Sequence, residues 1–259
     1  MKANILHLYY DILNLYGEYG NVNIIKKHIE DQGIEVNVEK KTIGDEIDFS
    51  KYSFIYMGCG TENNLDYVLK DIKKYTNQIN SVIKNGTVFL ATGNSFEMFG
   101  RKIDSQCGLG IFDFETSRLE DRITSDIIYE KIIYTDENNN QQKNIDNFDM
   151  HNETTANLDC YEVVGFVNKM TEVYHNSAPL FTVKCGIGDN KQNDFEGIKY
   201  YNFYGTHVIG PILAKNYLLL RELVINICKN IDSSFIYKEV EYKYEKESYN
   251  MLLNLLKSC

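Results

Sequence analysis

Apolar residues fall along this chain in short, separated clusters of two kinds. Residues 3–9 (ANILHLY), 34–38 (IEVNV), 54–57 (FIYM) and 88–91 (VFLA) are runs of strand length. The last two are continuously apolar, the pattern of strands covered on both faces of a parallel sheet. Between them the spacing is helical. Residues 22–31 place Ile24, Ile25 and His28 on one side, with Asn21 as the expected N-cap and Gly33 as the stop. Residues 65–83 read as one or two helices with polar faces. Strand, helix, strand in this order predicts right-handed βαβ units.

The run at 88–91 is followed by Thr92-Gly93-Asn94-Ser95, too polar to extend a strand, and then by Phe96, Met98 and Phe99 before Gly100. Strand, tight turn and helix form the geometry of a nucleophile elbow, which lifts one residue above the carboxyl end of a sheet. The lifted residue here is Gly93, which has no side chain. A second loop, Gly58-Cys59-Gly60, follows the strand at 54–57.

After Gly100 the pattern changes. Residues 124–134 alternate like an antiparallel strand. Residues 136–149 are rich in Asn, Gln and Asp and read as a solvated loop rather than a cation site. Residues 161–167 form another strand, 176–188 a short strand pair, and 197–203 a strand leading into Gly205-Thr206-His207-Val208-Ile209-Gly210-Pro211. A helix is expected over 215–229. Residues 240–259 are charged and then carry Met251, Leu252, Leu253, Leu255 and Leu256, an amphipathic C-terminal helix. The reading is an α/β fold: a mainly parallel sheet with helices on both faces, plus an added antiparallel section. Residues 1–230 form one domain and 231–259 a helical extension.

Charge narrows the partners. The formal net charge of −10 argues against nucleic acid or an anionic membrane surface. No apolar run spans a bilayer, since 217–228 is broken by Arg221 and Glu222, and no signal pattern precedes the first strand. The six cysteines are far apart and form no C-x-x-C pair, which fits a reduced cytoplasm and no zinc or disulfide framework. His7, His28, His151 and His175 show no metal-ligand spacing, and no cofactor is expected.

Several segments together resemble the class I, triad-type glutamine amidotransferases, and within them the glutaminase subunit of lipid II isoglutaminyl synthase and the cobyric acid synthase glutaminase domain. They are DILNLYGEYGNV, MGCGTENN, LATGNSFEMFG, GLGIFDFETSRLEDRITSD, EVVGFVN and FYGTHVIGPILAKN, in the family order over residues 1–230. The resemblance implies a flavodoxin-like sheet. It also implies a cysteine at the elbow that attacks the side-chain amide of glutamine, and a histidine that activates the thiol and protonates the leaving ammonia. A Mur ligase-like synthetase subunit is the implied partner and glutamine or a related amino acid the implied ligand.

Both chemical positions depart from that pattern. The family reads Cys-Gly-Gly-Tyr-Gln where this chain reads Gly93-Asn94-Ser95-Phe96-Glu97, so the nucleophile position is Gly93. The family reads Gly-Thr-Tyr-Leu-His-Gly-Pro where this chain has Ile209 at the histidine. Its Asn-His-Gly signature is Asn168-Lys169-Met170 here. Arg122 matches the arginine that holds the glutamine carboxylate, although a surface arginine in a polar turn fits as well. Gly58, Cys59 and Gly60 match the oxyanion loop, and Asn94 and Asn168 complete the implied ligand-binding set. The expectation is a subunit that does not hydrolyse glutamine. The alternatives are a glutaminase with relocated groups, drawn from Ser95, His207 or Cys59, and a small-molecule binding module.

Overall fold

The computed structural model describes residues 1–134 and 158–258. The Asn/Gln/Asp-rich stretch at 136–149 lies outside them. The first half alternates strands and helices: β1 (Lys2–Leu8), α1 (Tyr19–Asp31), β2 (Glu35–Lys41), β3 (Phe54–Met57), α2 (Glu62–Ile72), α3 (Thr76–Lys84) and β4 (Val88–Thr92). The second half is mostly strand: β5 (Lys102–Ile103), β6 (Gln106–Cys107), β7 (Phe114–Tyr134), β8 (Leu158–His175), β9 (Pro179–Cys185), β10 (Phe195–Tyr200), β11 (Phe203–Thr206) and β12 (Val208–Ile209). It closes with α4 (Ile212–Lys215), α5 (Tyr217–Ile231) and α6 (Lys243–Lys257).

All these strands belong to one mixed sheet, in the order β12-β8-β7-β9-β10-β11-β4-β3-β1-β2, with β5 and β6 beside β7. From β11 to β2 every neighbouring pair is parallel. From β12 to β11 every pair is antiparallel. The expected α/β architecture is therefore present, with an extensive antiparallel section joined edge to edge through β10 and β11.

Period-two alternation sorts the parallel strands between two cores. Leu6, Leu8, Ile55, Met57, Phe89 and Ala91 face α2 and α3. Ala3, Ile5, Phe54, Tyr56, Val88 and Leu90 face the opposite side, against α1 and α5. Helices on both faces explain why β3 and β4 are buried at every position.

Several boundaries differ from the sequence reading. Asn21 is not an N-cap: α1 begins at Tyr19, and the buried Asn21 side chain donates to the Tyr56 hydroxyl at 2.9 Å and accepts from the Leu213 amide at 2.9 Å. Gly33 does end the α1 turn, at φ 81°. The segment after Gly93 is a 3-10 turn over Gly93–Phe99 rather than an α-helix. The stretch at 176–188 holds the single strand β9, whose partners are β7 and β10. The helix expected from 215 starts at Tyr217, after the short α4. On α6, Leu252, Leu253 and Leu256 pack with Tyr249 against Ile128 and Val164, whereas Met251 and Leu255 point outward.

Candidate functional site

The ends of β3, β4 and β11 meet at one place, and the loops leaving them build the site. The chain turns sharply out of β4 at Gly93, where φ is +62°, a conformation that favours glycine. The Ser95 hydroxyl fastens the turn, donating to the carbonyls of Met57 at 3.2 Å and Thr92 at 3.0 Å. A Cβ on Gly93 would lie 2.9 Å from Ile209 Cγ2 and 3.5 Å from Cys59 Sγ, and closer still to Cys59 Cβ. The elbow, the 58–60 loop and the β12 segment thus converge, and the side chains of Cys59 and Ile209 fill the space above the glycine.

The loop after β3 is closed from the elbow side. The Gly60 amide donates to Asn94 Oδ1 at 3.1 Å, and Asn94 Nδ2 donates to the Gly60 carbonyl at 2.8 Å. A backbone donor in the implied oxyanion loop is therefore occupied by a side-chain amide of the same chain. Gly58 is held for steric reasons: a Cβ there would strike the Leu13 carbonyl oxygen. Cys59 is buried, and the Leu15 amide donates to its carbonyl at 3.1 Å. Burial, and then the negative charge of Glu18, push its thiol pKa far up, opposite to what an activated thiolate needs.

Glu18 is the group that sequence reading missed. It is fully buried. Its Oε1 accepts from the Gly210 amide at 2.6 Å, and its Oε2 accepts from the hydroxyls of Tyr56 and Thr92. One carboxylate thus ties the loop before α1 to β3, β4 and the turn after β12. Burial raises its pKa against the pull of these donors and of Lys215. Its only sequence signal is its place in the LYGEYG segment.

Above the elbow lies a cavity of about 280 Å³, of a size for a small amino acid. Gly93, Asn94 and Cys59 line one side and Arg122, Asn168 and Lys169 the other. Arg122 is thus in the cavity wall and not in a detached turn. Its Nη1 donates to Asn168 Oδ1 at 2.9 Å and its Nη2 to Glu62 Oε1 at 2.6 Å, while Asn168 Nδ2 donates to the Tyr16 hydroxyl at 3.1 Å. Lys169 Nζ donates to the carbonyls of Gly188 at 2.7 Å and Asp189 at 2.8 Å. Burial lowers its pKa against the attraction of Asp189, Glu196 and Glu97.

His207 does not pair with Ser95. It is buried beneath the cavity wall, with Nε2 3.4 Å from Glu97 Oε1 and Nδ1 3.5 Å from Asp189 Oδ1 and 3.6 Å from Glu196 Oε1. Burial opposes its charge, yet the three carboxylates raise its pKa to about 10. Such a group is a poor proton acceptor at neutral pH. The relocated set of Ser95, His207 and Cys59 is not assembled: the serine is tied to backbone, the imidazole is surrounded by carboxylates, and the thiol is held neutral.

This fold and this site define an amidotransferase scaffold. The CobB/CobQ-like glutamine amidotransferase domain matches residues 4–217, and the chain belongs to that family. Among curated relatives it is similar to the GatD subunit of the glutamine-hydrolyzing lipid II isoglutaminyl synthase of Staphylococcus aureus (strain N315), 28% identical over 258 residues, 98% of this chain and 96% of the relative. The GatD subunit of the same synthase from Streptococcus pneumoniae (strain ATCC BAA-255 / R6) is 27% identical over 236 residues, 88% of this chain and 81% of the relative. Among solved structures, PurLQS from Thermotoga maritima superposes with a TM-score of 0.51 at 13% identity, covering 89% of this chain and 98% of that one, which supports the fold. Among the described residues no helix is long and apolar enough to cross a membrane.

Proposed function

We propose that this chain is the amidotransferase-like subunit of a lipid II isoglutaminyl synthase-type complex, one that holds a glutamine-like amino acid without hydrolysing it. Its partner is a Mur ligase-like synthetase that amidates a peptidoglycan stem peptide. The observation that carries the loss of hydrolysis is the packing at Gly93. Cys59 and Ile209 occupy the space in which a nucleophile and its base would face each other. Without the nucleophile the covalent route is absent rather than slow. The occupied Gly60 amide points the same way, because an oxyanion needs free, preorganised donors. The cavity itself is retained, with Arg122 in its wall, which favours ligand retention over a purely structural role.

The experiment is ammonia and glutamate release from glutamine, measured for the purified chain alone and with its Mur ligase-like partner. No turnover above buffer is expected in either case, while calorimetry detects glutamine or glutamate binding. Turnover abolished by Cys59→Ala, Ser95→Ala or His207→Ala would establish an active glutaminase with moved catalytic groups. Absence of both turnover and binding would leave a structural subunit.

A further inference from the structure

Away from the elbow, three side chains from separate parts of the antiparallel section converge: Asp189 in the loop after β9, Glu196 in β10 and His207 after β11. Each is about 1% exposed. One ligand-type atom from each lies within 4.8 Å of the other two. We propose that Asp189, Glu196 and His207 bind one divalent first-row metal ion, with zinc the first candidate.

The spacing of the donor atoms carries this inference. His207 Nδ1 stands 3.5 Å from Asp189 Oδ1 and 3.6 Å from Glu196 Oε1. These separations lie within ion-pair range but beyond the usual length of an N–H···O hydrogen bond. Each has the length of a tetrahedron edge around an ion about 2.1–2.2 Å from both atoms, the range of zinc–nitrogen and zinc–carboxylate bonds, and the two carboxylates lie within 4.8 Å of each other. The polar inventory agrees. Asp189 Oδ1 and both ring nitrogens of His207 have no hydrogen-bond partner, although all are buried. Such orphans are rare in a folded interior and ask for a ligand.

The surrounding groups are arranged as an outer shell that orients ligands. Asp189 Oδ2 accepts from the Gly197 amide at 2.9 Å and lies 3.0 Å from His175 Nε2, leaving Oδ1 turned to the imidazole. Glu196 Oε2 accepts from the Thr206 hydroxyl at 2.8 Å, and its Oε1 accepts from the His207 amide at 2.6 Å. With Nδ1 on the ion, Nε2–H faces Glu97 Oε1 at 3.4 Å, the carboxylate–histidine–metal order seen in many zinc sites. Two carboxylates would neutralise a divalent ion, and Lys169, attracted first by Asp189 and Glu196 and then by Glu97, lies in the same cluster. The ion would join β10 to the loops after β9 and β11. Through Glu97, which also accepts from Thr171 at 2.6 Å and lines the cavity, it would stiffen the wall of the ligand site.

The test is elemental analysis of the full chain purified without chelator. Stoichiometric metal is expected in the wild type, with a loss of about tenfold or more in Glu196→Gln and in His207→Gln. The exposed cysteines Cys107, Cys160 and Cys185 are the competing site, so their triple serine variant should keep the metal. Should the buried variants fail to fold, wild-type protein produced in cobalt medium decides. It should show tetrahedral cobalt bands in the visible without sulfur-to-cobalt charge transfer. Substoichiometric metal in the wild type together with no change in melting temperature on adding zinc would overturn the proposal. So would metal retained by His207→Gln, or a thiolate signature from cobalt.

Discussion

Gly93 and Ile209 are packed so that a Cβ on the first would stand 2.9 Å from Cγ2 of the second, with Cys59 pressing from the other side. Positions that would hold a nucleophile and a base are thus adjacent, but the contact between them is hydrocarbon. Gly93→Cys should therefore destabilise the fold, by about 2–4 kcal/mol from overpacking together with the left-handed backbone. Chemical denaturation measures this. Adding Cys59→Gly should recover at least half of the loss by clearing the clash. Only the triple variant Gly93→Cys, Cys59→Gly, Ile209→His should show glutamine hydrolysis. Hydrolysis by Gly93→Cys alone would refute the need for both further changes.

Arg122 sits in the cavity wall with Glu62 already on its Nη2. An incoming amino-acid carboxylate must share or displace that partner. Arg122→Ala should weaken glutamine or glutamate binding about 10- to 100-fold, the value of one or two charge-assisted hydrogen bonds. Glu62→Gln should tighten it, because the guanidinium is freed. Titration calorimetry on both variants checks the two signs together, and a weakening by Glu62→Gln would overturn the competition.

His7 gives the fold an acid sensitivity. It is buried beside Tyr56 with no partner for Nε2. Burial, and then the charge of Lys40, lower its pKa to about 4. The folded value lies below the unfolded one, so this contribution is fully present above about pH 6.5 and is lost as pH falls toward about 4. The wild type should lose about 3 kcal/mol relative to His7→Phe across that window. Urea melts at pH 7.5 and pH 4 for both proteins measure the difference, and parallel behaviour would remove the assignment.

α6 is held by Tyr249, whose hydroxyl donates to the Glu162 carbonyl at 2.8 Å, and by Leu252, Leu253 and Leu256 on Ile128 and Val164. His28 reaches the same helix, with Nε2 3.0 Å from Glu245 and its ring stacked on Tyr242. Ending the chain after Val240 should cost about 3–5 kcal/mol of stability from the apolar area uncovered. A truncated chain with an unchanged melting temperature would show that the helix belongs to a partner's interface rather than to this fold.

Where burial was two-sided, the sequence was plain. The FIYM and VFLA runs are β3 and β4 because helices cover both their faces. Gly93 and Ile209 were legible as a pair because the flanking motif residues fix their register. Asn21 looks like a cap because it is a polar residue before an apolar stretch, whereas its actual partners, Tyr56 and Leu213, are distant in the chain. β7 and β8 are longer than the alternation suggested. A register shift between Arg118 and Ile123 interrupts the pattern. The Asp189–Glu196–His207 cluster carries no local signal, and Glu18 none beyond its place in the LYGEYG segment, since their geometry comes from turns and strands brought together by the sheet.

The cavity spans the seam of the sheet. Gly60 and Asn94 hang from the parallel strands, while Arg122 and Asn168 stand on antiparallel β7 and β8. A ligand bridging them would act as a further clamp between two halves already joined along β10, β11 and β4 and by the Arg122–Glu62, Asn168–Tyr16 and Thr171–Glu97 contacts. At a concentration one hundred times its dissociation constant, such a ligand adds about 2.7 kcal/mol to the free energy of unfolding. That increment would be shared across the seam, slowing amide exchange in strands that never touch the ligand. On the reading proposed above, in which the cavity holds an amino acid without hydrolysing it, occupancy of the cavity would be a signal in itself: a stiffer scaffold when the amino acid is abundant.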